Sequence, residues 1–349
     1  MEVHIIFDFS YCILGILLSF YVIFLVLFRT HNGNVRVYKK MLIISTVIDI
    51  MYGCSTAFSI PSYLFCEKKL FVLFENPVLP DDPKLLLRAF QIQTFFIFIN
   101  ILIVPIQFYF RYIVVCQRNY NFRMVLKPLL IALVYVFLHA AMIQRTFEFR
   151  NEVYDEILVE QGLDVKRVKY MVGDISKHHL LLYYMLNGLF MACLTYLLVG
   201  AYYCLTRRRL RKLKFSLSES TKRAQRQVGQ IATIQAIYPM LCICTPCIMI
   251  CTAPLIGLKS QLFGCICSTL SHIFPVLNAL SVIICVPSYR RKTLRFIRRA
   301  IRRKNEVTVI KVSSITPNDG VEFLKEGSNF VLTRVEHSVQ VLAHIPKPK

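Results

Sequence analysis

Seven long runs of apolar residues constrain this chain more than any other feature of its sequence. They cover residues 9–28, 41–65, 89–116, 126–143, 180–204, 231–257 and 263–287. A helix rises about 1.5 Å per residue, so roughly 20 apolar residues cross a hydrocarbon core of about 30 Å. Only 18% of the residues are charged, and the mean hydropathy is +0.53. The sequence therefore predicts an all-α membrane protein, a bundle of seven transmembrane helices.

The loops between these runs differ in charge. Loops 29–40, 117–127, 205–230 and 288–304 together hold 25 Lys and Arg residues and one acid, Glu219. The loops on the other side hold 11 basic and 13 acidic residues. Since the basic side of a membrane protein faces the cytosol, we expect an extracellular N-terminus and a cytosolic C-terminus. We assign the net charge of +22 to anionic inner-leaflet lipid and cytosolic partners, and we expect no nucleic-acid partner.

A basic segment follows the seventh run. Its residues Leu294, Ile297 and Ile301 fall on one helical face, with Arg at most other positions. This pattern is typical of a short amphipathic helix that lies on an anionic membrane surface. The eighth helix would complete a membrane domain of residues 1–304, and residues 305–349 are predicted to form a disordered cytosolic tail.

The longest outer loop, residues 144–179, is rich in both acidic and basic residues. Two interpretations remain open from the sequence. The loop either covers the mouth of a pocket or is simply solvated.

Polar side chains within membrane runs are costly, so each one is a functional candidate. Asp49 lies about 12 Å from the cytosolic side by helical rise. Ser19, Gln107 and Asn278 lie at nearly the same depth. These four residues either form one polar cluster, which would set a conformational balance, or make separate hydrogen bonds between helices. We expect the cluster, with a conformational and not a catalytic role.

Two further features are candidates for a conformational switch. Arg111 and Tyr112 end the third run, where Arg111 either extends to the headgroups or faces a cytosolic partner. The sixth run contains Pro239, Pro246 and Pro254, and each proline removes a helical hydrogen bond. That helix is therefore either merely bent or hinged, and Pro246 is the candidate hinge.

Pockets between helices are mostly apolar and contain a few well-placed polar groups. Candidate ligand contacts in the outer halves of the third and fifth runs are Gln91, Gln93, Asn100, Tyr183, Tyr184 and Asn187. Cys242, Cys244 and Cys247 have a spacing like that of metal ligands, but inside an apolar span we assign them to helix packing. Motifs for catalysis or phosphate binding are missing from the sequence, so we expect neither an enzyme nor a bound metal or cofactor.

Three short motifs resemble a known family. Gln107-Phe108-Tyr109-Phe110-Arg111-Tyr112 closes the third run, and the seventh run contains Phe274-Pro275-Val276-Leu277-Asn278 followed by Val286-Pro287-Ser288-Tyr289-Arg290-Arg291. With these motifs, residues 5–300 resemble the nematode serpentine chemoreceptors of the Str-type superfamily, with the Srd group favoured.

The resemblance implies a G-protein-coupled receptor for a small odorant or pheromone, located in the plasma membrane of ciliated sensory neurons. It suggests a heterotrimeric G protein as the partner of the cytosolic face. The candidate contacts with that partner are Arg111, Arg207, Arg208, Arg209, Arg211 and Lys212.

The chain departs from the rhodopsin-like receptors at two points. Phe110 stands where those receptors have an acid before the Arg, so an ionic lock around Arg111 is not implied. Loop 144–179 has no Cys, so the usual bridge to the third helix cannot form. Cys66 with Cys265 or Cys267 is the alternative pairing.

Two other functions remain open from the sequence. A ligand-gated channel of the insect odorant-receptor type would place the N-terminus in the cytosol, which the charge distribution opposes. A small-solute transporter often contains an inverted repeat, and no internal repeat is visible here.

Overall fold

The computed structural model describes residues 2–29, 39–116, 123–165, 168–177, 179–212, 233–234, 236–299, 321–326 and 329–334. Most of the basic loop 205–230, the predicted apolar position Ile301 and the greater part of the tail lie outside the described residues. The chain divides into two units, Met1–Arg290 and Arg291–Lys349.

Helices dominate the described chain. In chain order they are α1 (Glu2–Arg29), α2 (Lys39–Ser59), α3 (Pro83–Cys116), α4 (Arg123–Ala141), α5 (Ile143–Thr146), α6 (Glu152–Glu160), α7 (His179–Lys212), α8 (Ala236–Thr252), α9 (Gln261–Cys285) and α10 (287–299). Six helices in this part of the chain are long and apolar enough to cross a membrane: α1, α2, α3, α4 with α5, α7 and α9. The shorter apolar helix α8 falls in the sixth predicted run.

The second run is not helical throughout. Helix α2 ends at Ser59, and residues 61–65 of that run belong to a strand. Ile60 adopts a left-handed conformation with φ of 41°, and Pro61 has no N–H with which to continue the helical hydrogen bonds. The backbone therefore turns out of the helix at this point.

The all-α prediction is wrong for the segments that the sequence predicts to be extracellular, which contain a four-stranded antiparallel sheet. Its strands are β1 (Pro61–Cys66), β2 (Lys69–Phe74), β3 (Glu148–Phe149) and β4 (Lys169–Asp174), in the order β1-β2-β4-β3. Segment 144–179 is thus folded over much of its length, because it supplies β3, α6 and β4. A simply solvated loop, one of the two interpretations left open by the sequence, does not fit this folded segment.

Helix α6 packs on this sheet through Tyr154. The Tyr154 ring is buried and meets Phe71 of β2 edge to face, with 6.1 Å between ring centroids. Its hydroxyl donates to Glu148 Oε2 at 2.6 Å and accepts from Lys177 Nζ at 3.0 Å. Burial raises the pKa of Tyr154 to about 12, which keeps the hydroxyl proton available for the bond to Glu148.

Strand β1 also lies directly against α9. A Cβ at Gly264 would come within 1.6 Å of the Tyr63 carbonyl oxygen, so only glycine allows this approach. Ser260, the residue just before α9, donates its backbone N–H to the Phe65 carbonyl at 3.1 Å. The sheet is therefore fixed to the N-terminal end of α9.

The second unit contains an antiparallel pair of strands, β5 (Val321–Glu326) and β6 (Asn329–Arg334). They lie in the tail for which the sequence predicts disorder. The register pairs Phe323 with Leu332. Val and Phe occur in both strands and favour this conformation.

Candidate functional site

Helices α3, α4, α7, α8 and α9 enclose a cavity of about 60 Å³ together with the β1–β2 hairpin. Most of its wall is apolar and includes Phe90, Phe98, Met185 and Ile243. The polar side chains that line it are Tyr63, Thr94, His139, Tyr184 and Ser271. A mostly apolar wall with a few polar groups is the usual composition of a small-molecule site.

Tyr184 is the one sequence-predicted ligand contact that lines this cavity. Its ring is buried and lies parallel to the His139 ring, with 4.4 Å between centroids and an interplanar angle of 3°. Helix α7 places Tyr184 one turn before Gly188, which also lines the cavity.

The other five predicted contacts do not line it. Gln91 accepts from Arg88 Nη1 at 3.0 Å, and Gln93 is next to Ser59, whose hydroxyl donates to it at 3.1 Å. Asn100 donates back to a carbonyl of its own helix. Tyr183 is 64% exposed on the outside of α7. Asn187 does not line the cavity, but it hydrogen-bonds His139, which does.

His139 is a cavity residue that the sequence analysis missed. It lies in α4, is 2% exposed, and packs against the edge of Phe98 with 4.5 Å between ring centroids. Its Nδ1 lies 3.0 Å from Asn187 Nδ2. The signal was available, because an ionisable residue within an apolar run is a functional candidate.

A second missed pair joins α1 to α9. Asp8 and His272 are each 1% exposed, and Asp8 Oδ2 lies 2.9 Å from His272 Nδ1. From the sequence, the first apolar run begins at residue 9, so Asp8 was placed outside the span. That interpretation was wrong because α1 begins at Glu2, six residues before Asp8.

Asp49 and Asn278 lie in direct contact. Asn278 Nδ2 donates to Asp49 Oδ2 at 2.5 Å, which joins α2 to α9. Ser19 is fully buried, but no hydrogen bond among the described residues joins Ser19 or Gln107 to this pair. The predicted cluster of four residues therefore reduces to one bonded pair.

Helix α8 changes its winding next to Pro246. Residues Met240–Cys244 form a π-helix, and the Thr245 N–H donates to the Met240 carbonyl five residues earlier. The Thr245 hydroxyl donates to the same carbonyl at 2.9 Å. Because a proline cannot donate and its ring clashes with the preceding turn, the wider π winding is a way to accommodate Pro246. Because Ile243 and Cys247 line the cavity, this irregular turn forms part of the cavity wall.

The far ends of α3 and α7 carry the predicted cationic residues. Arg111 is 9% exposed, and its guanidinium carbon lies 5.8 Å from the centre of the Phe108 ring. Tyr202 of α7 contacts both Tyr109 and Tyr112, with centroids 5.3 and 6.2 Å apart. The exposed basic residues in the last turns of α7 are Arg207, Arg208, Arg209, Arg211 and Lys212. Twenty-three residues separate Tyr184 from the first of these, which corresponds to about 35 Å along the helix.

The alternative disulfide is not formed. Cys66, Cys265 and Cys267 are all free, as are the other cysteines of the described chain. The contact of β1 with Gly264 joins the sheet to α9 in this region without a covalent bond.

Apolar helices around a cavity, covered at one end by a sheet, define a multi-pass helical membrane protein. A family model described as serpentine type 7TM GPCR chemoreceptor Str matches residues 4–294, and the chain belongs to this family. A comparison with curated proteins gave no match. Family membership confirms the predicted resemblance at the level of the Str chemoreceptors and supports a chemosensory receptor that binds a small molecule.

Proposed function

We propose that this chain is a G-protein-coupled chemosensory receptor that binds a small molecule in the cavity of its helix bundle. The observation that carries the proposal is the cavity itself, which contacts five helices at once. A ligand there can change how those helices pack, and so alter their far ends. Only a ligand that binds two conformations with different affinity can shift their balance, and a site shared by several helices provides this difference.

The bend in α8 connects the cavity to the proposed output. The π-helix Met240–Cys244 ends just before Pro246, and irregular winding of this kind often marks a hinge. Movement of α8 about Pro246 would open the cytosolic ends of the bundle. Arg111, Tyr112 and the basic turns of α7 at residues 207–212 would then contact a heterotrimeric G protein.

The proposal includes the full seven-span topology. Helix α8 would form part of the sixth of seven spans, with the N-terminus outside and the tail in the cytosol. Helix α10 would lie on the anionic inner leaflet, where Leu294, Phe296 and Ile297, which are exposed in the structure, would enter the lipid. We assign the protein to the plasma membrane of sensory cilia. Within the superfamily, the Srd group stays our prediction.

A second-messenger screen tests the function. Cells that express the full chain, and matched cells without it, are exposed to a panel of odorants while cyclic nucleotide and Ca²⁺ levels are recorded. We expect responses that need both the chain and a functional G protein. A ligand-evoked membrane current that persists when G proteins are blocked would identify a channel and overturn the proposal.

The topology has its own test. An epitope tag at the N-terminus should stain on unpermeabilised cells, and a tag at the C-terminus should stain only after permeabilisation. The opposite pattern would contradict the seven-span arrangement.

A further inference from the structure

His139, which lines the cavity, has a buried ring nitrogen without a hydrogen-bond partner. Among the described residues that line the cavity, His139 Nε2 is the only buried side-chain nitrogen or oxygen without a hydrogen-bond partner. The side chain itself is 2% exposed, so bulk water does not supply the missing bond. Buried polar groups are nearly always paired, and an exception calls for an explanation.

The neighbouring side chains determine which hydrogen-bonding role this atom has. The Tyr135 hydroxyl donates to Asn187 Oδ1 at 2.5 Å, which orients the Asn187 amide. The amide nitrogen then faces His139 Nδ1 at 3.0 Å and donates to it. A neutral imidazole that accepts at one nitrogen carries its proton on the other. His139 Nε2 is therefore an N–H donor.

Two aromatic contacts hold the donor in place. Tyr184 stacks on one face of the imidazole, and Phe98 meets the ring nearly at right angles, at 79°. The Nδ1 hydrogen bond fixes the remaining rotation of the ring. A donor held in this way is preorganised and costs little to order when a ligand binds.

The lining also limits the charge of the ligand. None of the described lining residues is Asp, Glu, Lys or Arg. An ionic ligand would lose its hydration here without gaining a counter-ion, which is strongly unfavourable. The cavity therefore favours a neutral molecule.

We infer that the cavity binds a small neutral molecule whose oxygen or nitrogen acceptor takes a hydrogen bond from His139 Nε2–H, as a ketone, aldehyde or ether would. This inference rests on the proposed function, because it names the ligand class of the same site. The apolar wall would enclose the hydrocarbon part of the molecule, while His139 would select for the acceptor.

The test compares pairs of molecules that share a shape and differ in one atom group. Cyclohexanone is paired with methylenecyclohexane, and acetone with isobutene, so that a methylene group replaces the carbonyl oxygen in each pair. Binding to the detergent-purified full chain is followed by the rise in thermal unfolding temperature with probe concentration. We expect at least one ketone to bind, at least about tenfold more tightly than its alkene partner, since a site built to donate a hydrogen bond rejects an analogue that cannot accept it.

Two variants assign the preference to His139. His139→Phe keeps an aromatic ring and removes the N–H, so the ketone preference should disappear while alkene affinity changes little. Tyr183→Phe, on the exposed side of the same region, should retain the wild-type preference. If His139→Phe fails to fold, His139→Leu replaces it, and equal affinity of the paired probes for the wild-type chain still overturns the inference.

The outcomes separate this inference from the proposed function, because the binding assay needs no G protein. Failure of every ketone to bind, equal affinity within each pair, or a preference that survives in His139→Phe would overturn the inference. Odorant-evoked G-protein responses combined with any of these results would leave the proposed function intact. Ketone binding that depends on His139, without any second-messenger response, would support the inference and count against the proposed function.

Discussion

The Asn278 side-chain amide donates to the Asp49 carboxylate across 2.5 Å, and this bond joins α2 to α9 near the middle of both helices. Asp49 is 2% exposed. A buried carboxylate is costly unless it is hydrogen-bonded, so the contact constrains the position of α9 relative to α2. A ligand or partner that moves α9 would have to break or remake this bond.

Replacing Asp49 tests whether this bond sets the conformational balance. Asp49→Asn keeps the shape of the side chain and weakens the hydrogen bond, because bonds to charged groups are roughly twice as strong as neutral ones. If the bond belongs to one state only, its loss should change the ratio of active to inactive receptor by about tenfold. Basal signal and efficacy should therefore shift, while ligand affinity for the inactive state stays close to wild type. Concentration–response curves, paired with surface labelling, measure the basal signal, the efficacy and the potency of the ligand.

The double variant Asp49→Asn with Asn278→Asp is the control. It exchanges the two groups and restores an amide–carboxylate bond, so it should return basal signal toward wild type. A well-expressed Asp49→Asn that matches wild type in basal signal, efficacy and potency would show that the pair only packs the helices.

The sequence predicts the apolar helices well because lipid requires long apolar runs with a simple period. It also places Asp49 and Asn278 at one depth, since helical rise converts residue number directly into height. Prediction from the sequence fails where long-range contacts determine the local structure. Residues 61–65 continue the apolar run of the helix before them, and they become a strand because they pair with β2 and pack on Gly264.

The cavity shows the same limit. The depth of Gln93 and Asn100 in the membrane does not show that they hydrogen-bond to groups outside the cavity. Which side chains face the cavity depends on the rotation of α3, and that rotation depends on the neighbouring helices. His139 and His272 were detectable as ionisable residues in apolar runs. Their pairing with Asn187 and Asp8 was not detectable, because those contacts depend on helix packing that one sequence does not reveal.

Gly264 should not tolerate a side chain. The added methyl of Gly264→Ala would lie 1.6 Å from a backbone oxygen of β1, so the strand or the helix must move. We expect a loss of about 3 kcal/mol or more, the upper range for overpacked sites. Gly200→Ala on α7 is the matched control, because its methyl would meet nothing within 4 Å. Equal thermal unfolding temperatures for the two variants would contradict the close packing of β1 on α9.

Tyr154 should hold helix α6 to the four-stranded sheet. Tyr154→Phe keeps the ring against Phe71 and removes the hydroxyl that bonds Glu148 and Lys177. A buried partner left unpaired costs about 1–3 kcal/mol, so α6 should open more often. Protease added outside intact cells should then cleave near residues 152–160 faster than in wild type. The exposed Tyr183→Phe serves as the control, and identical cleavage rates in both variants would refute this role.

The cationic ends of α3 and α7 should be needed for coupling. Arg111→Ala, or replacement of the five basic residues of α7 between 207 and 212 by Gln, should abolish the G-protein response, while surface expression and ligand binding persist. Lys68→Gln with Lys84→Gln removes charge from the opposite end of the bundle and should leave signalling unchanged. Undiminished signalling in both the Arg111 variant and the α7 variant would place the G-protein site elsewhere.

The most direct test of a ligand site coupled to signalling is a concentration–response curve for Gly188→Ala beside Gly200→Ala. Both glycines lie on α7, but the Gly188 methyl would lie 3.1 Å from Phe98 at the cavity wall, whereas the Gly200 methyl would meet no atom within 4 Å. For any odorant that activates the wild-type chain, Gly188→Ala should raise the half-maximal concentration about tenfold or more at equal surface expression, and Gly200→Ala should leave it unchanged. Superimposable curves for wild type and both variants would show that the ligand binds outside this cavity.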